Sequence, residues 1–298
     1  MRVYVTGASG FVGSAIVKEL LSAGHEVVGL VRSDEAAAKL AATGATVYRG
    51  NLDDVESVKQ GVIGCDAVIH TAFNHNFANF KENCESDRRI IEALGSALAG
   101  SDRPLVITSG IGLLNGKSGV VTENDLPAVS SNVMPRVASE EATRAVAAKG
   151  VKAYIVRLPP TVHGAGDHGF VPMIIGMAKE KGESAYIDEG KNLWPAVHRF
   201  DAAVLYRLII EQQPKQQVFH AVAEQGISFK QIAEKIGEGL HLPVVSKTGD
   251  DVAAHFTWFS HFAAMDCKAS AVLTSKALGW EPNQADLLVD MVEGGYFD

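Results

Sequence analysis

Cysteine is scarce in this chain of 298 residues: Cys65, Cys84 and Cys267, an odd count with no paired spacing. That excludes a disulfide framework and a cysteine-built zinc site, and it fits a reducing compartment. His255 and His261 lack partners at a metal-ligand spacing, so no metal is expected. Basic charge is also short. With 27 Lys and Arg against 35 Asp and Glu the net charge is −8, which leaves no footprint for nucleic acid. No apolar run approaches the roughly 18 residues of a membrane span. The first strand signal begins at residue 2, so no signal peptide is expected. Internal repeats and low-complexity segments are missing as well. A soluble, cytoplasmic, globular chain of one large or two unequal domains is the expectation.

What is present starts at the N-terminus. Val3 and Val5 read as a buried strand that turns at Gly7, and Gly10 and Gly13 open a helix with Phe11, Val12, Ile16, Val17, Leu20 and Leu21 on its apolar side. In such a strand–turn–helix the first glycine makes the tight turn, the second lets a pyrophosphate approach bare backbone, and the third allows the helix to pack on the strand. Ser9 and the free N–H groups of the first turn add donors at the positive end of the helix dipole. Gly7, Ser9, Gly10, Phe11, Val12 and Gly13 are therefore expected to hold a dinucleotide.

The second strand, Val27 to Val31, runs into Arg32 and Ser33, where an NAD site would place an acid on the ribose 2′-OH. A guanidinium and a hydroxyl suit a 2′-phosphate, so NADP is expected over NAD, unless Arg32 is only a solvated surface charge.

Strand and helix signals alternate through the first half, predicting an α/β, Rossmann-type doubly wound parallel sheet. Strands are read at Ala45–Tyr48, Asp66–Ala72, Leu105–Ser109 and Val151–Arg157, with helices after Asp53, at Arg88–Leu98 and at Ser139–Ala148. Beyond Pro159 the alternation loosens. Residues 164–169 read as a loop, Phe170–Ala178 as a helix and 190–198 as irregular, followed by helices at Phe229–Leu240, Thr274–Leu278 and Leu287–Val292. The predicted division is a dinucleotide-binding domain over 1–162, rejoined by 197–215, and a smaller C-terminal α/β substrate domain over 163–196 and 216–298.

These residues resemble the extended short-chain dehydrogenase/reductases, the superfamily of nucleotide-sugar epimerases and related reductases. Thr6 to Gly13 fit its TGxxGxxG, and Asp66 to Ala72 fit the strand whose end backs the adenosine ribose, which implies Thr71, Ala72 and Phe73 at the cofactor. Asn51 and Leu52 stand where the family has Asp-Leu beside the adenine, and Asn83 heads a helix like its Asn-x-x-x-Thr helix. Arg157 to Gly164 resemble the Arg-Pro-x-x-x-Tyr-Gly stretch, implying Pro159 and Val162 at the nicotinamide. Val197-His-Arg-Phe-Asp201 resembles the Val-His-Val-x-Asp segment of the domain junction. The resemblance also implies a possible homodimer through the helices holding Asp87–Leu98 and Ser139–Ala148.

The departures concern the chemistry. The family's Tyr-x-x-x-Lys pair is replaced by Arg136 and Glu140, although Ser139 keeps its place. After the fifth strand the register puts Gly110 at the family's catalytic hydroxyl, and a shift by one would restore Ser109. The closest likeness is to the atypical branch, with the glycine motif intact and the catalytic residues lost. His163 and His198 are candidate replacement proton donors, or they pin their loops by bonding backbone. His168 reads as a loop surface residue. Arg136 either pairs with Glu140 one turn on, the favoured reading, or binds a substrate oxygen. Phe77 and Phe80 line an apolar pocket or cover the helix behind them. The stripe from His255 to Phe262 is core of the smaller domain or the roof of a cavity.

Three functions follow as expectations. The leading one is an NADPH-dependent oxidoreductase for a small or medium carbonyl compound, with a non-standard proton donor. The others are a non-catalytic NADP-binding sensor or interaction protein, and an epimerase or dehydratase that uses its cofactor transiently.

Overall fold

A computed structural model describes residues 1–298. The strands are β1 (Arg2–Thr6), β2 (Glu26–Val31), β3 (Thr46–Arg49), β4 (Ala67–His70), β5 (Leu105–Gly110), β6 (Val120–Val121), β7 (Ala153–Leu158), β8 (Thr161–His163), β9 (Ser184–Ile187), β10 (Leu193–His198), β11 (Val218–His220), β12 (Glu224–Ser228), β13 (Val244–Lys247) and β14 (Lys268–Ala269). The helices are α1 (Phe11–Ser22), α2 (Asp34–Ala41), α3 (Val55–Gln60), α4 (Phe80–Leu98), α5 (Ala138–Ala148), α6 (Phe170–Lys181), α7 (Arg199–Gln212), α8 (Phe229–Leu240), α9 (Asp250–Phe256), α10 (Ser260–Ala263), α11 (Val272–Leu278) and α12 (Leu287–Glu293).

Seven strands form one parallel sheet in the order β11-β7-β5-β4-β1-β2-β3. Chain order reverses between β1 and β4, and in open α/β sheets ligands sit outside the carboxyl ends of the strands at such a switch. Alternate residues of β1 go to opposite faces. Val3 and Val5 join a core with Ile16 and Leu20 of α1 and Leu205 and Ile209 of α7, while Tyr4 joins Ile91 and Leu94 of α4 and Val146 of α5. Burial on both faces is why these strands are continuously apolar.

A third core belongs to the elements after β7. Trp194 of β10, Phe229 and Ile232 of α8, Phe256, Phe259, Leu287 and Met291 pack together. The helix start at Phe229 is fixed by a capping box, with the Ser228 hydroxyl accepting from the Gln231 N–H and the Gln231 side chain returning to the Ser228 N–H.

Three expectations are corrected here. Residues 193–198, read as irregular, are the central strand of a three-stranded sheet β12-β10-β8. Pro195 and a shift of register between Trp194 and Ala196 break the pattern that alternation would have shown. β11, read with the smaller unit, is the edge strand of the large sheet beside β7, and Leu278 and Trp280 near α11 also pack into the first core. The α4 helix starts at Phe80, two turns earlier than its periodicity suggested.

Candidate active site

At the end of β1 the backbone of Gly7 has φ +71°, a left-handed value that favours glycine. A Cβ on Gly7 would stand 2.7 Å from Thr71 Oγ1 and 2.8 Å from the Ala72 nitrogen, and one on Gly13 would stand 2.0 Å from the Gly7 carbonyl oxygen. Gly10 donates its N–H to that same oxygen at 2.9 Å and begins α1 with no side-chain cap. The first turn of α1 thus keeps its N–H groups unclaimed behind bare backbone, with Ser9 exposed at the rim. This is the cradle a dinucleotide pyrophosphate requires, and the residues present fit it.

On the adenosine side Arg32 is exposed just past β2. The Ser33 hydroxyl accepts from the Ala36 N–H at 3.2 Å and so starts α2. Arg49, which sequence reasoning missed, ends β3 in register with Val31, donates to the Arg32 carbonyl at 3.4 Å and pairs with Asp34. Its position as the last residue of the third strand was the available signal. Asn51 and Asp53 close a turn on each other at 3.1 and 3.2 Å, and Leu52 packs on the second core.

The positions that resemble the family's Tyr and Lys carry two separate charge networks. In the first, Arg136 bonds the buried Asp87 at 3.0 Å and the Thr108 carbonyl at 3.0 Å, and also reaches Ser139. Asp87 accepts from Ser139 on the same oxygen. Its other oxygen meets His70 Nε2 at 2.9 Å, and His70 Nδ1 meets the Thr6 hydroxyl at 2.6 Å. Burial alone would raise Asp87, but Arg136 and the bonds from His70 and Ser139 outweigh it and hold the carboxyl below the ordinary range. His70 and Asp87 were not among the expected site residues.

In the second network the carboxylate of Glu140 is fully buried and takes two bonds from the equally buried Arg157, at 2.8 and 2.9 Å. Arg144 adds a bond at 2.7 Å and the Ser109 hydroxyl donates at 2.8 Å. Burial would raise Glu140; Arg157 first, then Ser109 and Arg144, bring it below its ordinary value. The expected Arg136–Glu140 pair does not form, because each residue has a better-placed buried partner on another element. Ser109, 4 % exposed, is committed to Glu140 beneath the site. Gly110 ends β5, and a Cβ there would meet nothing nearer than 3.8 Å.

The histidines divide by exposure. His163 is 1 % exposed and bonds Asp290 at 2.8 Å; His198 is 8 % exposed and caps α7, its Nδ1 accepting from the Phe200 N–H at 3.2 Å. Their rings lie edge to face at 5.3 Å. Both brace the junction of β8, β10 and α12. His75 and His168 are exposed instead. His168 stands edge-on to Phe11 at 5.7 Å, and His75 edge-on to Phe73 at 5.0 Å. The walls of the cleft, then Arg136 and His168, push the His75 imidazole below its ordinary value. Pro159 precedes β8 and Val162 is its middle residue, packing against the first core.

Aromatic side chains close the other side. The Arg136 guanidinium lies 4.2 Å above the Phe73 ring, and Phe80 meets Phe73 at 6.1 Å. Phe77 stacks on Phe80 at 5.6 Å and crosses to Trp258 at 5.4 Å and Phe262 at 5.8 Å. The stripe from 255 to 262 is divided between the core of the later elements and this aromatic cluster. Phe256 and Phe259 are buried core, while Trp258, 54 % exposed, and Phe262 face Phe77.

A parallel seven-stranded sheet with a glycine turn at the end of its first strand defines a dinucleotide-binding α/β protein. Residues 3–221 match the NAD dependent epimerase/dehydratase family, and the chain belongs to that family. It is 50 % identical over 299 residues, the whole of both chains, to a protein of Schizosaccharomyces pombe described as uncharacterized. It is 27 % identical over 244 residues to a sterol-4-alpha-carboxylate 3-dehydrogenase, decarboxylating, of Dictyostelium discoideum, covering 77 % of this chain and 73 % of the other. Among solved structures, a double mutant of a dTDP-glucose 4,6-dehydratase from Streptomyces venezuelae with NAD bound superposes with a TM-score of 0.80 at 19 % identity, over 99 % of this chain and 96 % of that one. No helix is long and apolar enough to cross a membrane.

Proposed function

We propose that the chain is an NADP(H)-dependent reductase of a small or medium carbonyl compound, with Arg136 and His75 in place of the missing Tyr and Lys. The observation that carries this reading is the setting of Arg136: its charge is held by buried Asp87 on one side while its own side chain stays 18 % exposed beside Phe73. When bound, the nicotinamide supplies the hydride. Arg136 can polarise a carbonyl oxygen but cannot give up a proton, since a guanidinium stays charged in proteins. The exposed His75, edge-on to the Phe73 ring that Arg136 covers, is the group this reading assigns to deliver one. Arg32, Arg49 and Ser33 are suited to a 2′-phosphate, and the bonds already made by Ser33 and Arg49 leave Arg32 as the free guanidinium of that set. Phe77, Phe80, Trp258 and Phe262 favour an apolar substrate. The sterol dehydrogenase relative supports redox chemistry on such a compound, and the NAD-bound neighbour supports a nicotinamide cofactor. A homodimer through α4 and α5 is part of this reading, to be checked by light scattering.

The test is binding of NADPH and NADH followed by fluorescence, then a panel of aldehydes and ketones read at the cofactor's absorbance. Turnover that falls at least about 100-fold in Arg136→Gln supports the proposal, that being the scale of a positioned electrostatic donor. Tight binding without turnover favours a second reading, an NADP-binding sensor, which the burial of Ser109, His163 and His198 also fits. Substrate conversion with no net change in absorbance favours an epimerase or dehydratase.

A further inference from the structure

Arg199 has no assigned role, and it departs from the Val-His-Val-x-Asp pattern that its segment resembles, standing where the second valine would be. It is the first residue of α7, and its stem passes close over Gly164, where a Cβ would meet its Cγ at 3.2 Å and its Cδ at 3.3 Å. The guanidinium carbon lies 4.8 Å from the centroid of Phe11 and 4.9 Å from that of Phe200. Its Nε is buried and has no hydrogen-bond partner. A buried donor left unpaired is costly and rare in a folded protein, and a ligand or a water is one way to satisfy it. Phe11 is the first residue of α1, and its ring is bracketed by Arg199 and, edge-on, by the exposed His168 of the 164–169 loop. Two basic side chains, one from α7 and one from the 164–169 loop, therefore pack on the first residue of the helix whose uncapped N–H groups suit a pyrophosphate.

We propose that Arg199, assisted by His168, closes on the pyrophosphate of the dinucleotide and ties the 164–169 loop to the occupied cradle. The proposal rests on the cofactor reading above and adds to it a contact from outside the glycine turn. Arg199 supplies the Nε that the resting fold leaves unpaired, and a guanidinium gives a phosphate two parallel bonds where a lysine gives a point charge.

The experiment compares dissociation constants of NADPH and of adenosine 2′-monophosphate, which lacks the pyrophosphate, for the full chain and for Arg199→Ala, Arg199→Lys and His168→Gln. Fluorescence titration of NADPH and displacement by the nucleotide report binding without turnover. Arg199→Ala should weaken NADPH about 10- to 100-fold and leave adenosine 2′-monophosphate within twofold, with Arg199→Lys between. Raising salt should narrow the gap between wild type and Arg199→Ala. Unchanged NADPH binding in Arg199→Ala overturns the proposal, as does equal loss for both nucleotides with a lowered melting temperature, which makes Arg199 a packing residue. Arg199→Lys, which keeps the stem over Gly164, guards against a variant that fails to fold. Wild-type protein that binds neither nucleotide would instead bring down the cofactor reading itself.

Discussion

Replacing Glu140 by Gln separates the two accounts of that residue by energy. As a surface partner of Arg136 one turn away, Glu140 would contribute about 0.3–0.5 kcal/mol. In the structure its carboxylate is fully buried and takes a two-bond contact from Arg157, which is itself 0 % exposed. Glutamine keeps the shape but removes the charge, leaving the guanidinium buried without its counter-ion. Breaking such a pair costs about 3–5 kcal/mol. In a chain of this size that is a fall of about 6–10 °C in melting temperature, at roughly 2 °C per kcal/mol. Circular dichroism melts at pH 7 measure it directly. The pH dependence gives a second check. Glu140 is held below its ordinary carboxylate value, so its contribution is present above the unfolded value near 4.3 and is lost as pH falls through the folded one. The gap between wild type and Glu140→Gln should therefore narrow as the pH is lowered below that unfolded value. A loss under 1 kcal/mol, or a gap that does not depend on acid, would refute the buried-pair argument.

Other outcomes follow from single residues. His220 is buried with its Nδ1 2.8 Å from the Ser270 carbonyl, and burial, then Arg157, pushes its pKa down to about 4. It stays neutral in the fold but takes up a proton when unfolded below about 6.5, so stability should decline between pH 6.5 and 4 by about 3 kcal/mol; His220→Gln should flatten that part of a denaturation-versus-pH series. Arg32→Asp should weaken NADPH at least tenfold more than NADH in fluorescence titration, and equal weakening would contradict the 2′-phosphate reading. Gly110→Ser should leave the melting temperature within a degree or two, because its Cβ makes only ordinary contacts, 3.8 Å from the Leu158 carbonyl oxygen at the nearest, whereas Gly7→Ala should abolish cofactor binding through a contact of 2.8 Å with backbone at Ala72. If His75 delivers the proton, reduction should accelerate as pH falls below 6.5 in wild type and lose that dependence in His75→Gln; a profile shared by both would remove His75 from the mechanism.

The sequence by itself determined the large sheet and the cradle. Continuous apolar strands, helical spacing between them and three glycines at fixed offsets are local signals, and each reports a backbone requirement that only a few residue types meet. It also determined that the family's Tyr and Lys are replaced, since that is a matter of identity at a position. The partners of Arg136 and Glu140 were decided by tertiary structure alone. Asp87 lies 49 residues before Arg136, and Arg157 reaches Glu140 from β7, the next strand, 17 residues on, so the nearer i, i+4 pairing looked favourable only while those partners were out of view. The same holds for the histidines. Nothing in the chain near His163 or His198 announces that Asp290 and the start of α7 enclose them while His75 and His168 stay exposed. β10 and β11 were misread for a related reason: Pro195 and a three-residue length hide a strand whose hydrogen bonds are all supplied by segments distant in sequence. Burial of a charge is worth several kcal/mol and depends on which chains meet in space, so the chemistry of this site is a property of the folded sheet edge rather than of any one segment.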